Sequence, residues 1–203
     1  MVFVSDYSLP DREILNQTLN QVLIWIPDRT YVVLGASNEA SDALIAENIA
    51  EDRIPVLKRK SGGQTVVLSP ENIIVSALIT DERIAKPLDV FLKFNELMIM
   101  AIERGGVSGL STRGVSDIAF GDKKISGSSI YRKKDKLFYH AVINYGESPN
   151  TFERYLKHPS KEPDYRMGRG HANFVTSLRE IGYSLTIGEL KKTLSEVMPL
   201  VNE

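Results

Sequence analysis

The chain reads IPVLKRKSGGQTVVL over residues 54–68, so that a basic triplet and two glycines lie between two apolar runs. The β-branched residues of these runs predict strands over 54–58 and 65–68. A third strand is predicted over 72–79, after the breaker Ser-Pro-Glu. Together the three strands predict a β meander interrupted by a basic, glycine-containing loop.

That loop has the chemistry of an anion site. Gly62 and Gly63 carry no Cβ, so backbone N–H groups can approach phosphate or carboxylate oxygens closely. Arg59 supplies countercharge, and Ser61 and Gln64 supply further hydrogen-bond donors. The alternative is an ordinary glycine turn with a solvated basic edge, and the loop alone does not decide between the two.

N-terminal to this stretch, the pattern predicts helix, strand and helix. Apolar residues at helical spacing after Asp11 predict a first amphipathic helix: Leu15, Leu19, Val22 and Leu23. A compact apolar run over 31–34, closed by Gly35, predicts a buried strand, and a helix is predicted over 40–52.

C-terminal to it, Pro87 is suited to the first turn of a long helix that ends at Gly105-Gly106. One face of that helix is predicted to contain Leu88, Phe91, Leu92, Met98 and Ile102. Strands over 117–120, 123–131 and 137–145, joined by turns at Gly121-Asp122 and Lys134-Asp135, predict a second antiparallel meander.

The C-terminal quarter differs in character. Residues 146–172 are polar and rich in proline, arginine and histidine, which predicts a mobile loop region. A last helix is predicted to begin at Thr186, because Glu189 follows at capping-box spacing. Strands in runs, with helices outside them, favour an α+β fold on a mixed, mainly antiparallel sheet flanked by helices.

Composition narrows the function classes. The chain has 203 residues, a net charge of -1, and no cysteine, which excludes disulfides, zinc-thiolate sites and a cysteine nucleophile. The chain lacks the strongly basic field that favours nucleic-acid binding, because acidic residues offset the short basic clusters at 58–60 and 132–136. No apolar run reaches the roughly 18 to 20 residues needed to span a bilayer, and the start is not leader-like, so we expect a cytoplasmic protein without membrane contact, forming a single domain over 1–203.

A second segment repeats the chemistry of the first. Asp117 begins one strand of the predicted meander, and Lys124, Ser126 and Gly127 follow on the next. A lysine on a strand beside glycine could hold an anion, although exposed lysines also protect hairpins from edge pairing. His140, on the third strand, should face the side opposite Tyr139.

Taken together, these motifs resemble the catalytic domain of the lipoate-protein ligase family. That family has an Arg-x-Ser-Gly-Gly-Gly loop, an Asn-Asp pair, a Lys-x-Ser-Gly strand with an essential lysine and a His-Gly strand. The positions that match are Gly35, Arg59, Ser61, Gly62, Gly63, Asp117, Lys124, Ser126, Gly127 and His140. The order of the predicted elements also follows the family over nearly the whole chain.

The resemblance implies a fold shared with biotin-protein ligases, of the class II synthetase type. It also implies two half-reactions, in which ATP converts lipoate to lipoyl-AMP and the lipoyl group passes to a carrier lysine. Lys124 would be catalytic, and the other matched residues with Gln64 would bind lipoate and lipoyl-AMP. Asp117 would lie near the adenosine or a Mg²⁺ ion. Residues of the 146–172 region would exclude water from the adenylate: Tyr165, Arg166, Arg169 and His171.

The implied carriers are the E2 subunit of a 2-oxoacid dehydrogenase or the H protein of glycine cleavage. Departures from the family pattern stand at Gln64, Leu68-Ser69, Ser116 and Ala141, and no small C-terminal domain is expected, so a separate accessory chain could assist. Gln64 is typical of octanoyltransferases, which keeps an ATP-independent lipoyl or octanoyl transferase open. A non-catalytic subunit that binds lipoate or a carrier is the other alternative.

Overall fold

A computed structural model describes residues 2–80, 86–133 and 136–199 of the chain. In these residues ten strands form two sheets, and helices cover the outer face of each sheet. The expected α+β class is therefore confirmed, with two sheets in place of one. In the described part of the chain, no helix is both long and apolar enough to cross a membrane.

The smaller sheet has four strands. Their spatial order is β1 (Val4–Asp6), β4 (Val56–Lys58), β3 (Tyr31–Leu34) and β5 (Val66–Leu68). β3 is parallel to β4 and antiparallel to β5. The predicted meander over 54–79 is wrong, because β3 separates β4 from β5. The glycine loop crosses the end of β3, where Arg59 N donates to Leu34 O and Ala36 N to Ser61 O.

The larger sheet has six strands, and every neighbouring pair is antiparallel. Their spatial order is β2 (Gln21–Trp25), β6 (Asn72–Ile79), β10 (Lys136–Asn144), β9 (Lys123–Lys133), β8 (Asp117–Phe120) and β7 (Leu110–Arg113). The second predicted meander corresponds to β8, β9 and β10. The predicted turn at Lys134-Asp135 lies outside the described residues. The edge strands β1 and β7 were not predicted.

The first predicted helix is wrong. Residues Pro10–Asn16 form a 3-10 helix, and the chain then enters β2. The spacing of Leu15, Leu19, Val22 and Leu23 arises from two elements, and Leu19 is 76% exposed. Pairing with β6 determines the conformation of residues 21–25, since Gln21 to Trp25 align with Leu78 to Ile74.

The helix predicted over 40–52 is two short helices, α1 (Ala40–Ala43) and α2 (Ala46–Glu51). Between them Leu44 is buried and forms a β-bridge with Leu156. This long-range contact interrupts a pattern that is locally helical. No local signal marks the break.

The long helix α3 (Pro87–Glu103) begins at the predicted proline, and Met98 and Ile102 are buried as expected. Leu88 and Leu92 are not on the buried face: they are 47% and 46% exposed. The final helix α6 (Ile187–Val197) begins after Thr186, and both hydrogen bonds of the predicted capping box are present. α3 and α6 pack together on the larger sheet.

Residues 146–172 contain more regular structure than predicted. α4 (Pro149–Tyr155) begins with a hydrogen bond from Asn150 N to the Ser148 hydroxyl, a 3-10 turn covers Asp164–Arg166, and α5 (His171–Phe174) follows. The serine and proline that start α4 are ordinary helix signals. The surrounding polar composition obscured them.

The two sheets face each other across an apolar layer. Alternation along β3 sends Tyr31 and Val33 toward the larger sheet, whereas Val32 and Leu34 pack on the other side of their own sheet. The molecule is thus layered as α3 and α6, larger sheet, smaller sheet, and the short helices with α4. A site between the sheets can receive side chains from both.

Candidate active site

A cavity of about 530 Å³ opens between the two sheets. The predicted site residues that line it are Arg59, Gly63, Gln64, Asp117, Lys124, Gly127 and His140. The glycine loop contributes one side, and β8, β9 and β10 contribute the other. Two motifs far apart in the sequence therefore meet at one cavity, because the loop that leaves β4 faces the larger sheet.

Arg59 is the internal support of the glycine loop. Its guanidinium donates to the Ser61 hydroxyl (2.9 Å), to Val33 O (3.2 Å), and to the carbonyls of Gly62 and Gln64 (both 2.8 Å). The residue is only 6% exposed, and burial lowers the pKa of Arg59 to about 10. Arg59 therefore fixes the loop conformation, and most of its donors are used within the protein.

Gly35 supports the same loop from below. A Cβ on Gly35 would overlap the carbonyl oxygen of Gly63, and the Gly35 N–H donates to Asn38 Oδ1. Gly63 has φ +87°, a left-handed conformation that favours glycine. Gly35 is thus required by the close approach of the loop to the end of β3, and Gly63 is favoured by its backbone conformation.

Lys124 reaches the cavity over a glycine. Its Nζ donates to Asp117 Oδ1 at 2.8 Å, and a Cβ on Gly127 would overlap Nζ and Cε of the lysine. The Lys124 side chain keeps 29% of its surface exposed. The ammonium can therefore exchange its aspartate contact for an incoming anion, while Gly127 keeps its path open.

Asp117 is occupied at both carboxylate oxygens. Oδ1 accepts from Lys124, and Oδ2 accepts from the Tyr165 hydroxyl at 2.9 Å. Among the described residues, no group of three or more His, Asp or Glu side chains is placed to hold a metal ion. Asp117 in this arrangement orients Lys124. Its expected Mg²⁺ role stays a prediction, because Mg²⁺ at nucleotide sites is held by one or two carboxylates together with substrate phosphates.

His140 faces the cavity side of β10, opposite the buried Tyr139, as predicted. Its Nε2 lies 2.7 Å from the Ser61 hydroxyl, and its Nδ1 lies 3.9 Å from Asp11 Oδ2. Burial is the main cause that lowers the pKa of His140. Asp11 was not predicted as a site residue, because Ser76 and His140, which link it to the site, are distant in the chain.

The segment predicted as a cover does lie over the site. Besides the bond from Tyr165 to Asp117, Arg169 forms an ion pair with Asp122 at 2.7 Å. Arg166 and His171 line the cavity. The segment is therefore attached to the β8–β9 hairpin at two points, the Asp117 carboxylate and Asp122.

One part of the cavity wall is apolar and comes from both sheets: Val33, Val66, Leu68, Ile74 and Val142. Along β10, alternation places Val142 and Asn144 on the same side as His140. Sequence reasoning missed this wall, because membership depends on which strand faces which. The cavity can take an apolar chain with an anionic group at the Lys124 end.

Four predicted site residues do not line the cavity: Gly35, Ser61, Gly62 and Ser126. Gly35 packs beneath the loop, and the Ser61 hydroxyl of the loop contacts Arg59 and His140. Ser126 pairs with Ile118 and Ile143, which belong to the core beneath α3, so its side chain points away from the cavity.

Comparison with known families gives a match over nearly the whole chain. A sequence model of the lipoyl protein ligase A/B catalytic domain matches residues 9–198. Lipoate-protein ligase 1 of Staphylococcus aureus is 27% identical over 135 residues, which are 66% of this chain and 40% of that relative. The chain therefore spans about 40% of the length of this relative.

Solved structures share the fold. The bi-partite lipoate protein ligase of Thermoplasma acidophilum, studied with its E2 lipoyl domain, superposes with a TM-score of 0.77 at 16% identity, covering 90% of this chain and 71% of that one. A lipoate-protein ligase A bound with ATP has a TM-score of 0.76 at 17% identity, with 90% and 72% coverage. At these identities the superpositions establish the architecture alone.

Replacing Gly35 with alanine should destabilise the protein by about 2 kcal/mol, because the new Cβ would overlap Gly63 O and displace the loop. Gly62→Ala is the matched control, since a Cβ there meets nothing within 4 Å. Urea denaturation measures both. Equal stability of the two variants would show that the close approach at Gly35 is not a constraint.

Acidification should destabilise the folded protein in part through His171. Burial, followed by the nearby Arg166 guanidinium, lowers the pKa of His171 to about 4 from its ordinary 6.5. As the pH falls below the ordinary value, the unfolded chain binds a proton that the folded chain does not, so stability is lost. His171→Gln should therefore lose less thermal stability than the parent between about pH 7.5 and pH 5. The exposed His158, changed to Gln, is the control, and an identical loss in the parent and His171→Gln would contradict the assignment.

Proposed function

Because this chain belongs to the lipoyl protein ligase A/B catalytic-domain family, we propose that it activates lipoate with ATP and transfers the lipoyl group to a lysine of a carrier domain. The observation that carries the proposal is the cavity itself. Part of its wall is apolar, and Lys124 and the glycine loop line the same cavity. A carboxylate on an apolar chain, meeting a phosphate, is the pair of substrates that such a cavity suits.

In the first step a lipoate carboxylate oxygen attacks the α-phosphorus of ATP. The bond from phosphorus to the bridging oxygen breaks, and lipoyl-AMP and pyrophosphate form. Negative charge is carried throughout by the carboxylate and phosphate oxygens. Lys124, held on a strand and released from Asp117, would bind these oxygens and stabilise charge as it moves.

The glycine loop would bind the same junction through its backbone. Arg59 draws the carbonyl oxygens of Gly62 and Gln64 toward its guanidinium. With these carbonyls turned away, the N–H groups of the loop can meet the anion. In this proposal Arg59 positions the loop, in place of the direct substrate contact that the sequence suggested.

In the second step a carrier lysine amine attacks the acyl carbonyl of lipoyl-AMP. An amide bond forms, AMP leaves, and one proton is released. The segment that contains Tyr165 and Arg169 lies over the site, which supports a role in excluding water from the adenylate. Lipoyl domains of E2 subunits or an H protein are the proposed carriers. An accessory chain could contribute to adenylation.

The reaction is tested by incubating the protein with lipoate, magnesium ATP and a lipoyl domain. Lipoyl-AMP and a lipoylated carrier, detected by mass spectrometry, are expected. Transfer only from supplied lipoyl-AMP would limit the chain to the second step, and transfer from an acylated carrier without ATP would establish the transferase alternative. Tight binding of lipoate or of the carrier without turnover would show that the protein is a non-catalytic binding subunit.

Lys124→Ala should reduce adenylate formation by roughly 100- to 1,000-fold, because one preorganised charge that meets the reacting oxygens is lost. Lys123→Ala is the matched control, since the neighbouring lysine is exposed and adjacent side chains on a strand point to opposite faces. Initial rates of pyrophosphate release measure both variants. Full activity of Lys124→Ala would exclude its catalytic role.

A further inference from the structure

A buried chain of polar groups runs beneath the glycine loop. Arg59 Nε donates to Ser61 Oγ at 2.9 Å, Ser61 Oγ lies 2.7 Å from His140 Nε2, and His140 Nδ1 lies 3.9 Å from Asp11 Oδ2. A buried cation and a buried anion are thus linked through a serine and a histidine. The four residues come from three distant parts of the chain.

Asp11 is fully buried and is held by two hydroxyl donors. The Tyr7 hydroxyl donates to Oδ1 at 2.7 Å, and the Ser76 hydroxyl donates to Oδ2 at 2.8 Å. Burying a carboxylate is costly unless it is hydrogen-bonded, and the burial that raises the pKa of Tyr7 keeps that donor protonated. No step of the proposed reaction uses this carboxylate directly.

The hydrogen-bond donors of these four side chains restrict where the protons of the polar network lie. The guanidinium Nε can only donate, so Ser61 Oγ accepts from it. An unprotonated His140 Nε2, 2.7 Å away, is an acceptor for the proton of the Ser61 hydroxyl. In that arrangement a neutral His140 carries its proton on Nδ1, which faces Asp11 Oδ2. At 3.9 Å this last contact is electrostatic and is too long for a direct hydrogen bond.

The order serine, histidine, aspartate is also that of a nucleophilic triad, but the site does not fit that role. Ser61 is 2% exposed and does not line the cavity, so an acyl carbonyl cannot reach its oxygen. Its oxygen is also engaged by Arg59. These contacts instead hold the glycine loop in place, because Arg59 also donates to the carbonyls of Gly62 and Gln64.

We propose that Asp11 is a positioning residue, whose charge selects the Nδ1–H tautomer of His140 and so holds Ser61 and the Arg59 loop in the anion-binding arrangement. The opposite tautomer would give Ser61 Oγ two donors and remove the acceptor of its own proton. The kinetic consequence rests on the proposed function, whereas the tautomer does not. The same dependence of histidine tautomer on a buried carboxylate operates in the serine-protease triad.

The first test is a nitrogen NMR measurement on the whole protein, in which the chain's three histidines make assignment simple. We expect His140 in the parent to have a protonated Nδ1 and an unprotonated Nε2 near neutral pH. Asp11→Asn should shift it toward the Nε2–H tautomer. Ser76→Ala, which removes a hydrogen bond from the same carboxylate but keeps its charge, should leave the tautomer unchanged.

The second test is kinetic. Asp11→Asn should lower kcat/KM for adenylate formation by about 100-fold, the effect expected of a loop displaced by about 1 Å, and Ser76→Ala should lower it far less. An inactive parent would refute the proposed function and leave the NMR result standing. If the parent His140 is an imidazolium or the Nε2–H tautomer, or if Asp11→Asn changes neither tautomer nor kcat/KM, the proposal is wrong. Covalent labelling of Ser61 by a fluorophosphonate would also overturn it, by making Ser61 an accessible nucleophile.

Discussion

The buried guanidinium of Arg59 constrains the site more than any other single group. It donates to four neutral oxygen acceptors at once, and among the described residues it forms no ion pair with a carboxylate. A buried cation without a counterion in contact is tolerated only when its donors are satisfied, so the loop carbonyls must stay where they are. The loop conformation and the requirement for Gly35 beneath it both follow from this arrangement.

The opposite side of the cavity is arranged by a carboxylate. Asp117 joins Lys124 to Tyr165, and it therefore links the strand lysine to the segment that covers the site. The ammonium has three donors, so an anion can share Lys124 with Asp117.

Elements with strong local signals were predicted well. The strand over 72–79, the proline that starts α3 and the capping box at Thr186 all depend on residues adjacent in the chain. The first helix was wrong because a 3-10 helix and a strand in succession imitate helical spacing, and only β6 decides between them. Leu44 likewise interrupts a helix through its bridge to Leu156.

The amino-acid sequence alone carries the chemistry of the site: a basic glycine loop, a strand lysine beside glycine, and a histidine that faces opposite Tyr139. Residue type and strand alternation are local properties, so these features can be recognised without knowledge of the tertiary fold. Three outcomes required the folded molecule: Arg59 supports the loop from inside, Ser126 faces the core, and Asp11 belongs to the network around His140. These outcomes depend on which strands become neighbours, and burial and hydrogen-bond partners are fixed only when the two sheets pack together.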